Sequence, residues 1–559
     1  MSSAAKFRLF TKLYFVTLLS LAPLLMRASS TSNFDVVVYG GTPSGIIAAC
    51  EAAQAGKSVC LIEPSQHVGG MMTSGLTASD YHNPNTVGGK ALSFYYRVGS
   101  LYQSLVHAKL NKSLAKRDQL ISKITYPVWD YESHIGEQVF NQMLLESGVT
   151  CILGKRIDRV GSRGITKVFN HITSITMETG EIYQGSVFID SSYEGDLMAL
   201  AHVPYVVGRE SSSTYNESLN GVQPQTQYRG IVDPYVIPGN PSSGLLPGVD
   251  SQVPGNVGDA DNRVQAYNFR LCMTNNPDNR VAAPKPENYN PLDYELLSRL
   301  IAQNPNSVFG AQIAKFAPLP NGKVDVNSSD AFSTDLISPL TKTWADASYD
   351  ERDKILQRYR DYTQGFLWFV TNDPRVPLNI RAQAAEWGLA ADEFMDNGNM
   401  PYRIYVREAR RMLGEHIMTG ANAQGTAFVY DPIALGCYGM DSHQVTMYVD
   451  KEGLLNIEGG LWSDSINYGI SYRSLVPKLA DCDNLIVSIC ISASHVAYGS
   501  IRMEPVYMEM GQAAGAAASL AIDNATSVQS VNYSTLAAIL VNEGQVISDP
   551  NWSIGVDSY

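Results

Sequence analysis

The hexapeptide Gly40-Gly41-Thr42-Pro43-Ser44-Gly45 sits where an apolar run, FDVVVYGG, gives way to an Ala- and Ile-rich stretch. The run has the character of a central parallel strand buried on both faces, and residues 43–55 that of a helix stopped by Gly56. Unpaired N–H groups and the positive end of the dipole make such a helix start a place for a diphosphate. Gly40 permits the tight turn and Gly45 lets helix and strand approach, while Thr42 replaces the usual middle glycine of a G-x-G-x-x-G pattern. Glu63 closes a second strand (58–63) 18 residues after Gly45. A carboxylate there accepts hydrogen bonds from ribose hydroxyls and disfavours a 2′-phosphate.

A second glycine pair, Gly69 and Gly70, follows in EPSQHVGGMMTSG, with Met71 next. Further segments occur in order between Phe34 and Asp523: VFIDSSYEGDLMALAHVPYVVGRE, YNFRLCMT, GCYGMDSH, IEGGLW, YRSLVPK, NLIVSICISASHVAYGSIRMEP and MGQAAGAAA. Together they resemble the glutathione-reductase-type FAD fold. More narrowly, they are similar to the FAD-dependent oxidoreductase family, some of whose members are named as xanthan lyases. The resemblance implies FAD held by Gly40, Gly41, Thr42, Pro43, Ser44, Gly45, Glu63, Gly69, Gly70 and Met71. It also implies Ile157 beside the adenine and Asp190 near the adenosine half, the alternative for Asp190 being a helix N-cap or turn residue; the small residues Gly511, Ala513, Ala514 and Gly515 let their helix approach a sheet or a ligand closely. The chain departs from the family's Ala-Gly-Arg at Val487, Ser488 and Ile489, and has Ser471 where Pro is common. Ser488 would stand beside the ribityl chain.

Hydride chemistry at a flavin needs a group for the substrate proton and positive charge or dipole where the reduced ring gains charge. His495, in the turn SHVAYGS, is the preferred acid/base because imidazole exchanges protons near neutral pH. Arg502 and Arg473 are candidates for an anionic substrate group or the reduced ring, and Tyr498 for orienting substrate. The helix after Pro505, whose missing N–H suits a first turn, offers its dipole. The alternative for His495 and the arginines is capping and structural ion pairing. His443 and His67 are lesser candidates. Asp441 and His443 form an i, i+2 pair without a third ligand, so no metal is assigned.

The elements positioning these residues are expected to form an α/β, Rossmann-like FAD domain with an inserted α+β substrate domain. The boundaries are 31–204 and 431–530 for the FAD domain, 205–430 for the insertion and 531–559 for a C-terminal tail. Residues 132–147, 346–372 and 380–395 have helical spacing, and the Ser- and Ala-rich stretch between NLIVSICI and EPVYM reads as a loop. Lys6, Arg8 and Lys12 precede an apolar stretch and small residues at 28–30, the order of a cleaved signal peptide with no later membrane span. That order, with sequons such as Asn216, Asn524 and Asn532, implies a glycoprotein that is secreted or in the endomembrane lumen. The seven cysteines are scattered and contain no C-x-x-C pair. A net charge of −13 without a basic patch leaves nucleic acid no footprint. No second dinucleotide motif stands out, so the expected partners are a small-molecule substrate and oxygen or a diffusible electron acceptor. The rival functions are a flavin-containing polysaccharide lyase and a noncatalytic flavin-binding protein.

Overall fold

The computed structural model describes residues 30–111, 126–223, 229–329 and 332–549. The expected signal segment, up to residue 29, and residues 550–559 of the tail lie outside them.

The central sheet is built on β1 (Thr31–Tyr39), β2 (Val59–Glu63), β3 (Thr150–Leu153), β4 (Ile165–Val168), β5 (His171–Thr176) and β6 (Ile182–Asp190), in the order β3-β2-β1-β6-β5-β4. β7 (Leu485–Val487) adds in parallel to the end of β6, Val487 opposite Asp190. β1, β2, β3 and β6 run parallel, whereas β4 and β5 form an antiparallel flap. Val36, Val37 and Val38 are fully buried, as a strand covered on both faces requires. Register sets Tyr39 opposite both Ile62 and Asp190. The turn after β1, Glu63 and Asp190 therefore gather at one edge, the carboxyl ends where open α/β sheets bind ligands.

Helix α1 (Pro43–Gln54) starts as the sequence indicates, with Pro43 in its first turn and Thr42 as N-cap. Helices α2 (Gly89–Asn111) and α3 (Ser133–Ser147) follow; the latter ends at Gly148 in the left-handed region, φ 70°. Near the C-terminus come α4 (His495–Ile501), α5 (Glu504–Asp523) and α6 (Tyr533–Asn542). A Cβ on Gly511 would lie 2.2 Å from the Ser44 carbonyl oxygen, and one on Gly515 2.4 Å from that of Ala48. α5 thus packs on α1 at backbone contact.

Residues between 205 and 430 surround a second, antiparallel sheet. Its strands lie in the order Arg280–Val281, Gly388–Ala390, Leu271–Thr274, Lys323–Asn327 and Lys315–Leu319, beside the helix Tyr349–Asn372. That helix begins with a capping box from Ser348 and Glu351, inside the expected 346–372. The helix expected over 380–395 stops at Ala385, and Gly388–Ala390 form a strand instead. Sheet pairing wins there: a Cβ on Gly388 would meet Arg280 Cγ and Val281 O at 2.6 Å. The boundary at 430 is bridged, since Val249–Asp250 pairs with Thr446–Val449. The tail carries α6, whose Leu536 and Leu540 are buried.

Two further corrections fall near β7. NLIVSICI supplies only three strand residues, because the Ile491 amide turns back to the Ile489 carbonyl. The expected loop after it contains α4, started by Ser494, whose Oγ accepts the Ala497 N–H.

Candidate nucleotide and flavin site

Gly40 adopts φ 105°, and a Cβ there would meet the Ser191 backbone at 2.7 Å. A Cβ on Gly45 would lie 2.0 Å from the Gly40 carbonyl oxygen. These two glycines are demanded by close approach; Thr42 is not a loss. Its φ of −72° needs no glycine, its hydroxyl accepts the Gly45 N–H at 3.2 Å, and it donates to the Ser191 carbonyl at 2.9 Å. Ile46 N–H is taken by Thr42 O, whereas the Thr42 and Ser44 amides have no acceptor among the described residues. Two N–H groups at the mouth of α1 are therefore free for an anion.

Glu63, fully buried, reaches under this turn. Its Oε2 accepts the Gly41 N–H at 2.7 Å, and its Oε1 accepts the Ser65 N–H at 2.9 Å and Arg403 Nη2 at 2.8 Å. The second glycine pair belongs to the same surface: the Gly69 N–H donates to the Gly41 carbonyl at 2.7 Å. Gly69 and Gly70 have φ 94° and 54°, and a Cβ on Gly70 would stand 2.5 Å from Tyr193 Oη and 2.9 Å from Pro43 Cδ. Met71 N–H donates to Tyr193 Oη at 3.0 Å, and Tyr193 donates to Glu504 Oε1 at 2.6 Å. The start of α5 thereby joins the start of α1. Glu504 Oε2 has no protein partner, and burial raises this carboxyl to about 8.

The other expected cofactor residues divide. Ile157 is fully buried and its N–H donates to Tyr39 Oη at 3.2 Å. Asp190 corrects the expectation of a ligand contact: its carboxylate accepts Ser192 N–H, Ser192 Oγ–H and Met198 N–H. It is a turn and helix-start residue, with burial raising it to about 6. Gly511 is likewise a packing residue, facing Ser44 of α1 rather than a ligand. Ser488 fills its place with hydrogen bonds, to Ser44 Oγ at 2.8 Å and Ser191 Oγ at 2.7 Å. Its hydroxyl ties β7 to the diphosphate turn.

Among the candidates for chemistry, His495 is buried at the start of α4, its Nδ1 2.8 Å from Glu408 Oε2 and its N–H on Glu210. Arg411 contacts both carboxylates. Against the burial that opposes ionisation, His495 and Arg411 hold Glu408 below its ordinary value. Arg502, also buried, donates to Tyr405 Oη and Asp441 at 2.7 Å each, and its Nε has no partner. Tyr498 is spent within the protein, on the Ile489 carbonyl and Tyr507 Oη. Arg473, half exposed, pairs with Asp431 and shares none of the contacts of Arg502 or His495 among the described residues. His495 and Arg502 stand at the two ends of one short helix with different partners, and Arg473 lies apart from both.

Asp441 and His443 do not form a pair: Asp441 holds Arg502 and His443 holds Asp335, 2.5 Å away. His67 is more than a loop residue. It contacts Glu137 and Asp396 and stacks on Tyr402 at 3.4 Å. Arg403 and Glu408 lie outside the motifs, and Tyr193 and Glu504 lie within DSSYEGD and SIRMEP without an assigned role; the fold discloses what each of them touches.

A parallel sheet whose carboxyl edge carries two linked glycine turns and a buried carboxylate defines an α/β nucleotide-binding protein. The family model described as FAD dependent oxidoreductase matches residues 35–540, and the chain belongs to that family. No curated protein matches the chain. Among solved structures, an OxyS anhydrotetracycline hydroxylase from Streptomyces rimosus shares 15% identity over 32% of this chain and 36% of that chain, TM-score 0.20. An L-amino acid deaminase from Proteus vulgaris shares 15% identity over 33% and 54%, TM-score 0.21. A thioredoxin reductase from T. acidophilum shares 17% identity over 28% and 34%, TM-score 0.15. The chain spans between a third and just over half of the length of these relatives.

The residues present fit the dinucleotide. The free Thr42 and Ser44 amides suit its diphosphate, and Glu63, at the end of β2 beside the same turn, suits its adenosine ribose.

Proposed function

We propose that this flavoprotein oxidises a small organic substrate by hydride transfer to noncovalent FAD and returns the electrons to oxygen or a diffusible acceptor. The flavin supplies the two-electron acceptor. The protein supplies the proton acceptor, the anion site and the dipole. Glu408 fixes His495 through Nδ1, which leaves Nε2 to take the substrate proton, and Arg411 keeps Glu408 ionised behind it. Arg502 binds an anionic substrate group through its unpartnered Nε, the observation that carries this reading: a buried guanidinium N–H without an acceptor is costly unless a ligand completes it. Glu504 and Val506 N–H groups at the start of α5 have no acceptor among the described residues and face developing negative charge.

In this reading the nucleotide half is of the glutathione-reductase type, and the second-sheet region, 205–430, is an inserted substrate domain. The chain is secreted or lumenal after loss of its signal segment and carries glycans; exposed Asn216, Asn524 and Asn532 support the last point. No helix among the described residues is long and apolar enough to cross a membrane.

The test is anaerobic mixing with a panel of 2-hydroxy and 2-amino acids, monitored at the visible flavin band. Bleaching followed by recovery on admission of air supports the proposal. A flavin that stays oxidised with every member, while unsaturated sugar products form from polysaccharide, overturns it.

A further inference from the structure

Glu63 is more crowded than a ribose-binding carboxylate should be. A carboxylate offers about four lone-pair positions. Gly41 N–H, Ser65 N–H and Arg403 Nη2 take three of them, at 2.7, 2.9 and 2.8 Å. A ribose diol brings two hydroxyl donors, so one occupant has to leave. The two amides are fixed by the crossover turn and the end of β2; Arg403 is on a long side chain.

The Arg403 side chain is 24% exposed, so a guanidinium taken from Glu63 stays close enough to the protein to pair with a second anion. The path to one is short. Arg403 Cζ lies 5.6 Å over the Tyr193 ring, Tyr193 Oη lies against Gly70, and Gly70 lies against Pro43 at the start of α1. There the free Thr42 and Ser44 amides await a diphosphate. The segment that carries the arginine is also anchored from outside the central sheet. Its neighbour Tyr402 stacks on His67 with ring planes 9° apart and donates to Asp396, which contacts His67 in turn.

We infer that Arg403 is a ligand of the cofactor's diphosphate, and that in turning to it Arg403 yields the Glu63 carboxylate to the ribose. The inference rests on FAD occupying the linked turns after β1 and β2. Arginine suits the role because its planar fork matches both carboxylate and phosphate. The second-sheet region thereby contributes directly to nucleotide binding.

The experiment titrates cofactor-depleted protein with FAD, read by flavin fluorescence, and displaces it with ADP or adenosine. Wild type, Arg403→Gln and Arg403→Lys are compared, with thermal melting as the check on folding. Arg403→Gln is expected to weaken FAD and ADP by about tenfold to a hundredfold. Adenosine, which lacks the diphosphate, is held as well or better once Glu63 is free. Arg403→Lys keeps the charge but loses the fork, so ADP weakens less and adenosine is unchanged. Equal weakening of ADP and adenosine, or no change in either, overturns the inference, and if the glutamine variant does not fold the same comparison is made on the lysine variant. Wild-type protein that binds no FAD would sink the cofactor reading itself, a result distinct from normal FAD binding that ignores residue 403.

Discussion

The amide of Gly69 donates to the carbonyl of Gly41 at 2.7 Å, which fuses the turn after β1 with the turn after β2. Residues 28 positions apart in the chain thus form one backbone surface. Its shape depends on Gly45 keeping α1 against Gly40.

Gly45→Ala is therefore expected to push α1 off the turn. The added methyl would lie 2.0 Å from Gly40 O, which is backbone and cannot step aside. Overpacking of this kind costs about 1–3 kcal/mol. A lower melting temperature and loss of the visible flavin band on purification are the expected outcomes; a variant that stays yellow and melts like wild type would show that the turn yields cheaply.

Ser488→Ala tests the departure from the family's glycine. The substitution leaves the hydroxyls of Ser44 and Ser191 short of one partner each, in a place without solvent. An expected destabilisation of about 1–3 kcal/mol follows, measured by urea unfolding. Flavin content should hold, because Ser44 offers its amide rather than its hydroxyl to the diphosphate.

The nucleotide half was legible because its constraints are local. Gly40, Gly45 and Glu63 answer to a strand, a turn and a helix within one crossover, and spacing alone exposes them. Thr42 shows the same logic, since an N-cap hydroxyl substitutes for a glycine whose freedom is unused. Asp190 and Gly511 stay open in the sequence because an acid and a small residue serve turns and helix packing as readily as ligands. Arg403 stands in no motif, and Tyr193 and Glu504 stand in motifs that give them no role: they meet only because distant segments converge, and no short spacing records that. Helix 380–395 failed for a related reason, its second half being captured by strand partners over 100 residues away.

His495→Gln should separate chemistry from folding. Glutamine retains a donor toward Glu408 but cannot take a proton, so flavin binding is expected to persist while the rate of anaerobic flavin reduction falls by about 10²–10⁴. Stopped-flow absorbance measures it. An unchanged reduction rate would reduce His495 to a structural partner of Glu408.

Glu504 gives the stability curve a defined slope. Burial holds this carboxyl at about 8, against 4.5 for an unperturbed glutamate. Below pH about 4.5 both folded and unfolded states carry the proton and the group contributes no pH dependence. As pH rises from there toward 8, the unfolded state releases its proton while the folded state retains it, so stability falls by up to about 1.4 kcal/mol per pH unit. Above 8 both states are ionised and the penalty is constant. Glu504→Gln removes the titration but keeps an acceptor for the Tyr193 hydroxyl. The difference in unfolding free energy between variant and wild type should therefore grow in the variant's favour from pH 5 to 8, as read from urea melts at each pH. Parallel curves across that range would mean that Glu504 ionises inside the fold as easily as outside it, and that its unpartnered oxygen has found a donor.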